Sequence, residues 1–353
     1  MKKILRIATI VALVLGFSCS QDDVSNPEPA ASLPSKINVT DGRLVFPSAT
    51  VFNSTRDALS DATNDDLDNW ESRFAGFKSQ RSILKEILKK DEKHKEAIDN
   101  LPMEDALKLK ETIGDDFYFD ESVLSNKNIL DFDEDGVFYL KIEGYAPSIE
   151  KFVNRHGLVQ IGDSIFSYSE GYIKVITDGN ANKIKSLSDY NESNRKENVY
   201  VSTVKRETIE ISLENGRSML FNGTSDCTGY TTGGGQRVKG RAEALYSTPS
   251  GGQGTGPYII YMYLRASNEY KGVFGWRSKD TSQLNINGWV DYYVTTYPVT
   301  TITDIITLNA TTNGQTVSTI TYDIYNVQSN YPIGYGLQGS LTYTGRHGSS
   351  CSL

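Results

Sequence analysis

From Cys227 to Cys351 the chain carries strand patterning almost without interruption, and that run restricts the fold more than any other feature. Tyr258, Ile260, Met262 and Leu264 alternate with Ile259, Tyr261, Tyr263 and Arg265. Ile302, Ile306 and Leu308 share one parity, as do Ile320, Tyr322 and Ile324. A period of two sends successive side chains to opposite faces of a strand, and Asn313-Gly314 between two such runs is a hairpin signal. The stretch is rich in Thr, Tyr, Gly, Ser and Asn and holds 14 of the 21 tyrosines. Residues 215–353 therefore read as an all-β antiparallel sandwich domain, with a barrel as the alternative closure.

The first half has another character. Asn64-Asp65-Asp66 offers a cap and an acidic first turn, and Leu67, Trp70, Phe74 and Phe77 recur at helical spacing, which predicts a helix over 65–76. Ile83, Leu84, Ile87 and Leu88 mark a second helix whose other face carries Lys85, Glu86, Lys89 and Lys90, and a third lies around Glu104 to Thr112 beyond Pro102. Leu44 to Phe46, Phe117 to Asp120, Val137 to Ile142, Leu158 to Ile161 and Tyr172 to Ile176 read as short strands, with a helix over Pro147 to Arg155. Residues 41–200 thus form an acidic α+β domain, and the fold class of the whole chain is α+β. Trp70 is expected in the core.

At the start, Lys2, Lys3 and Arg6 precede an apolar run from Ile7 to Phe17, then Ser18-Cys19 and Asp22-Asp23. About 11 apolar residues are too few to span a bilayer and suit a secretory signal peptide over 1–18. A cysteine at the cleavage point resembles a bacterial lipoprotein signal, which implies lipidation of Cys19, and the acidic pair behind it resembles the tag that sends Bacteroidota lipoproteins to the outer face of the outer membrane. An ordinary secreted protein is the alternative. Residues 19–40, with Pro27, Pro29 and Pro34, read as the tether of the anchor. Trp70-Glu71, Gly76-Phe77-Lys78-Ser79, Val153-Asn154, Gly157, Gln160-Ile161-Gly162-Asp163 and Ile165 resemble motifs of an uncharacterised family of Bacteroidota surface lipoproteins. That resemblance spans residues 45–180, implies location and fold, and lends no catalytic residue.

Charge is distributed unevenly: without Lys2, Lys3 and Arg6 the formal charge falls from −8 to −11, of which residues 20–200 carry −12 and residues 201–353 carry +1. An acidic chain repels phosphate backbones, which argues against nucleic acid as a partner. In an oxidising compartment, with Cys19 taken by lipid, Cys227 and Cys351 are left to form a disulfide.

Four groups of residues invite a chemical reading. Asp131-Phe132-Asp133-Glu134-Asp135-Gly136 has the spacing of a calcium loop, so Asp131, Asp133 and Asp135 are candidate ligands for calcium. The closing position of such a loop is Ile142, with Glu143 one residue late, and an acidic solvated turn explains the string equally simply. His94, His156 and His347 are too scattered for a zinc site or a triad. Glu207, Glu210, Glu243 and Asp291 lie on predicted strands and are ordinarily explained as solvent-face acids. The glycines at 233–235 and 251–256 lack the endings of phosphate-binding loops.

The fourth group is aromatic: Tyr261, Tyr263 and Arg265 share one strand face, and Trp289, Asp291 and Tyr293 share another, as sugar-stacking or protein-anchoring faces do. Packing inside the sandwich is the ordinary alternative for any one of them. The sequence thus suggests a non-catalytic surface lipoprotein, anchored in the outer membrane and binding glycan or a protein partner. A surface glycan hydrolase and a structural subunit of an envelope complex are the alternatives.

Overall fold

The computed structural model describes residues 37–60, 62–206, 209–212, 218–221, 224–231, 234–249, 258–296, 300–312, 315, 317, 319–328 and 332–353. Cys19, most of the tether, Glu207, Gly233, all of Gly251 to Gly256 and Asn313-Gly314 lie outside them. The chain opens with the hairpin β1 (Asn38–Thr40) and β2 (Arg43–Phe46) and continues through the helices α1 (Ala49–Ala58), α2 (Asn64–Glu71), α3 (Gln80–Asp99), α4 (Met103–Ile113) and α5 (Glu121–Leu124). A second hairpin, β3 (Leu130–Phe132) and β4 (Phe138–Leu140), precedes β5 (Leu158–Ile161), β6 (Ser164–Ser169), β7 (Tyr172–Ile176) and β8 (Val199–Arg206). Strands then dominate: β9 (Ile209–Ser212), β10 (Ser218–Phe221), β11 (Thr224–Tyr230), β12 (Gln236–Pro249), β13 (Tyr258–Lys271) and β14 (Trp276–Ser278). They are followed by β15 (Asn285–Thr296), β16 (Thr300–Thr311), β17 (Thr319–Gln328), β18 (Pro332–Thr344) and β19 (Ser350–Ser352). The fold is mixed α+β, helices first and antiparallel sheets after.

One large sheet runs in the order β1-β2-β5-β6-β7-β8-β12-β13-β14, with β11 also on β12 and β17 on β13. β2 pairs in parallel with β5, whereas the later pairings are antiparallel. Strand β8 bonds to β7 on one side and to the far end of β12 on the other. The hydrogen-bonded ladder therefore passes unbroken from the helical half into the strand-rich half. A second sheet, β16-β15-β18-β19, packs across β12 and β13.

Local chemistry explains the helices. Thr63 caps α2 through a reciprocal pair with Asp66, one residue earlier than the expected cap, and the helix stops at Glu71 rather than residue 76. Ser79 caps α3, whose buried stripe runs Ile87, Asp91, Lys95, Ile98. Asp91 and Lys95 hold that stripe together as an ion pair of 2.8 Å, which is why the helix outruns its apolar pattern to Asp99. Two expected elements are replaced. Phe117 to Asp120 is a 3-10 turn, Asp115–Tyr118, because Phe117 turns inward against Phe274 at 4.9 Å. The helix expected over Pro147 to Arg155 shrinks to one turn, Ile149–Lys151. Helix α1 carries no long apolar stripe and went unpredicted; Ser48 caps it and Phe52 fastens it down.

The first core gathers Phe46, Phe52, Trp70 and Phe152 in edge-to-face contacts of 5.1 to 6.0 Å, and Trp70 is buried there as expected. The second core is that of the sandwich: Val238, Ala242, Leu264 and Ala266 from the large sheet meet Ile286, Val290, Leu308, Leu341 and Tyr343 from the other. Gly240 makes this fit possible, since a Cβ there would stand 2.3 Å from the Tyr343 ring. Cys227 on β11 and Cys351 on β19 form the disulfide across 124 residues and join the two sheets at one edge. Opening a loop of that length is expected to cost about 2–5 kcal/mol. Reduction, or Cys227→Ser with Cys351→Ser, should lower the unfolding free energy measured in urea by that amount; an unchanged value would show the bridge to be dispensable.

Candidate functional site

The residue pattern of β12 is Arg237-Val238-Lys239-Gly240-Arg241-Ala242-Glu243. Its apolar parity enters the sandwich core, so the charged parity must face the other way. On β13, Leu264 and Ala266 likewise enter the sandwich, while Tyr263, Arg265, Ser267 and Glu269 take the opposite parity. This charged face is buried, not solvated. The β3–β4 hairpin and helix α3 of the first half cover it.

The acidic turn that resembled a calcium loop does the covering. Gly136 adopts a φ of +76°, which a glycine takes without strain, and the turn closes when Asp133 Oδ1 accepts the backbone N–H groups of Asp135 and Val137 at 3.0 and 2.9 Å. Asp133 Oδ2 accepts from Lys239 Nζ at 2.9 Å, with the two side chains 3% and 6% exposed. Asp135 Oδ2 accepts from Arg237 Nη2 at 2.6 Å and from Lys239 Nζ at 3.3 Å. Arg237 Nε donates to Glu269 at 2.6 Å while its guanidinium lies 4.1 Å over the Trp276 ring. Asp131 turns elsewhere, accepting from Tyr139 Oη at 3.3 Å. Protein cations thus occupy the carboxylates of Asp133 and Asp135, and among the described residues no group of three or more His, Cys, Asp or Glu side chains is set to hold a metal ion.

Further along the seam, Tyr263 Oη donates to Glu143 at 2.6 Å, and the Arg265 guanidinium stacks 4.5 Å over the Tyr139 ring. Tyr263 and Arg265 are both buried. The expectation that they present a free aromatic face is corrected, because that face is covered by the chain itself. Glu243, read as a solvent-face acid, is also enclosed and accepts from Arg241 at 3.2 Å. At the far end Lys279 bridges to Glu92 at 2.8 Å and Arg277 to Asp99 at 3.4 Å, both acids on α3.

Two charged groups, Asp135 of the turn and Lys239 of β12, respond to this setting. Partial burial by itself would raise the Asp135 carboxyl; the Arg237 hydrogen bond and the charges of Arg237 and Lys239 outweigh it and hold the group below the usual carboxylate range. Burial likewise opposes charge on Lys239, yet hydrogen bonding to Asp133 and the acids around it raise its pKa. A depressed carboxylate stabilises the fold above its unfolded value of about 3.9, and that contribution is lost as the pH falls through the folded value. Asp135→Asn should therefore flatten the acid branch of the stability curve below about pH 4; an unaltered acid branch would contradict the assignment. Truncating a buried pair strands its partner at a cost of about 3–5 kcal/mol. Asp133→Ala is expected to lose that much in urea unfolding, and Asp133→Ala with Lys239→Met to recover most of it.

The second aromatic group behaves differently. Trp289 is 42% exposed, whereas Trp70 is buried and Trp276 is half-buried beneath Arg237. It sits on β15, the strand bonded on both sides, opposite Thr307 of β16 and Ser340 of β18. Thr307, Asn309 and Ser340 are exposed around it, with Ile305 at 65% exposure one register step along. In the backbone register Asp291 pairs with Ile305 and Tyr293 with Thr303 of β16. Tyr261 pairs with Leu245 and Tyr325 in the interior of the large sheet.

Sequence reasoning missed Arg237, Lys239, Tyr139 and Glu143. The strict alternation of charged with apolar residues on β12 was the available signal, and it fits a solvated face equally well until a partner is seen.

No protein-family model and no curated protein matches the chain. Among solved structures it is similar to the crystal structure of a DUF4848 family protein from Bacteroides thetaiotaomicron, at 14% identity and a TM-score of 0.28, over 90% of this chain and 98% of that one. That family is uncharacterised.

Proposed function

We propose that this is a non-catalytic binding protein, held at the cell surface by a lipid on Cys19, which takes hold of glycan through the outer face of the β16-β15-β18-β19 sheet. The observation that carries the reading is Trp289, left exposed on an inner strand of that sheet while its inward neighbour Val290 is buried in the sandwich. An indole lying on a flat sheet offers an apolar platform to the C–H face of a sugar ring. The hydroxyls of Thr307 and Ser340 and the amide of Asn309 beside it supply the hydrogen-bonding groups that sugar hydroxyls need. A protein partner could use the same patch, with Ile305 as its apolar edge.

The hydrolase reading has less behind it, since Glu243 and Glu269 are locked in contacts with Arg241 and Arg237 instead of facing a groove. The test is retention of soluble residues 20–353 on affinity gels and a glycan array. Trp289→Ala should weaken retention about tenfold or more, equivalent to ~1.4 kcal/mol. An exposed position should leave overall stability within about 0.5 kcal/mol. Unchanged retention in a folded variant would remove the sheet face from consideration.

A further inference from the structure

Helix α3 and the strands opposite do not close on each other along their whole length. A cleft of about 590 Å³ remains, lined on one side by Leu84, Leu88 and Lys89 of α3 and on the other by Arg265, Arg277 and Thr319. That volume falls in the range of small-molecule sites. Tyr139 and Glu143 line it as well.

The two arginines are the feature to explain. Arg265 is 6% exposed and Arg277 8%, so both guanidinium groups are withdrawn from water while remaining charged. Elsewhere the chain satisfies such cations: Arg237 bonds to two carboxylates, and Lys95 pairs with Asp91. Here it does not. Arg265 Nη1 has no hydrogen-bond partner, and Glu143 Oε2 stands 3.8 Å away. Glu143 is held back from it by the Tyr263 hydroxyl and the Leu140 N–H, which it accepts at 2.6 and 3.2 Å. Arg277 reaches Asp99 at 3.4 Å through Nη2 and has Nε and Nη1 without partners. A buried donor left without a partner keeps the full cost of its desolvation, so the arrangement needs a reason.

Stacking does not supply one. Tyr139 lies 4.5 Å beneath Arg265 and Tyr270 5.2 Å from Arg277, contacts that use the flat faces of the guanidinium groups. They fix the planes and leave in-plane N–H edges unpaired, at Arg265 Nη1 and at Arg277 Nε and Nη1. An edge of that kind fits a carboxylate, which accepts two parallel bonds from one arginine. The cleft is also lined by Asp65, Glu92 and Asp280, acids that repel a multiply charged anion and accept hydrogen bonds from hydroxyls.

We propose that the cleft between α3 and the β13-β14 strands binds a small carboxylate that carries hydroxyls, a uronic acid in chemical class, with Arg265 as its carboxylate anchor and Arg277 as the second cation. This site is separate from the Trp289 face and does not rest on the reading given to it.

The experiment is calorimetric titration of soluble residues 20–353 with glucuronate, glucose and inorganic sulfate. Glucuronate is expected to bind and glucose not, and Arg265→Gln should weaken glucuronate binding at least tenfold. Since Arg265→Gln removes a stacked side chain and can impair folding, Arg277→Gln serves as the second variant, and circular dichroism checks both. Trp289→Ala should leave glucuronate binding unchanged. The proposal is overturned if glucuronate does not bind wild-type protein, if it binds both arginine variants as tightly, or if its binding is lost with Trp289. Binding of sulfate without glucuronate would overturn the carboxylate assignment.

Discussion

A lysine buried as deeply as Lys239 stays charged only with a carboxylate against it, and the acid that meets it, Asp133, comes from about a hundred residues earlier in the chain. The strand β12 therefore cannot be completed within its own half. Its apolar parity is satisfied by the second sheet of the sandwich, and its charged parity by the β3–β4 turn. Much else follows from that division. The turn must close tightly, which Gly136 allows; Arg237 must reach both Asp135 and Glu269, which Trp276 supports from beneath; and Tyr139 comes to lie where Arg265 stacks on it.

The uneven charge of the chain takes on a physical meaning in this light. The first half is strongly acidic and the second nearly balanced, and the seam sets acids of the first, Asp133, Asp135, Glu92 and Asp99, against cations of the second, Lys239, Arg237, Lys279 and Arg277. Buried ion pairs add little net stability compared with apolar packing, because desolvation offsets the attraction. They do penalise every misaligned arrangement heavily, since each shift strands a charge. The seam is thus better understood as fixing how the halves register than as the source of their cohesion, which comes from the continuous ladder through β8 and from the apolar contacts around Tyr263.

Much of the architecture was legible because it rests on periodicity. Alternation in β13, β16 and β17 announced strands, the Ile83 to Leu88 stripe announced α3, and the cysteine pair announced the disulfide. Elements held by single contacts were not legible. Helix α1 depends on Phe52 filling a space between Phe46 and Phe152, and the Phe117 turn depends on Phe274, more than 150 residues later. The aromatic faces divided for a related reason. Tyr263 and Trp289 look alike in sequence, each on an alternating strand with polar neighbours. Only the position of the hairpin, which covers one sheet face and not the other, buries the first and exposes the second. A calcium-like string was likewise ambiguous, since the carboxylates that would surround a cation serve equally well to receive Lys239 and Arg237.

The central claim is that the two halves, registered by the buried charges and joined by the ladder through β8, form one cooperative unit, and native-state amide exchange as a function of urea tests it most directly. The account predicts that the best-protected amides of α3 and of β15 open together, with the same free energy and the same urea dependence. Amides of α3 that open several kcal/mol more easily than those of β15 would mean that the halves unfold separately, and the seam would then be a contact surface between independent bodies.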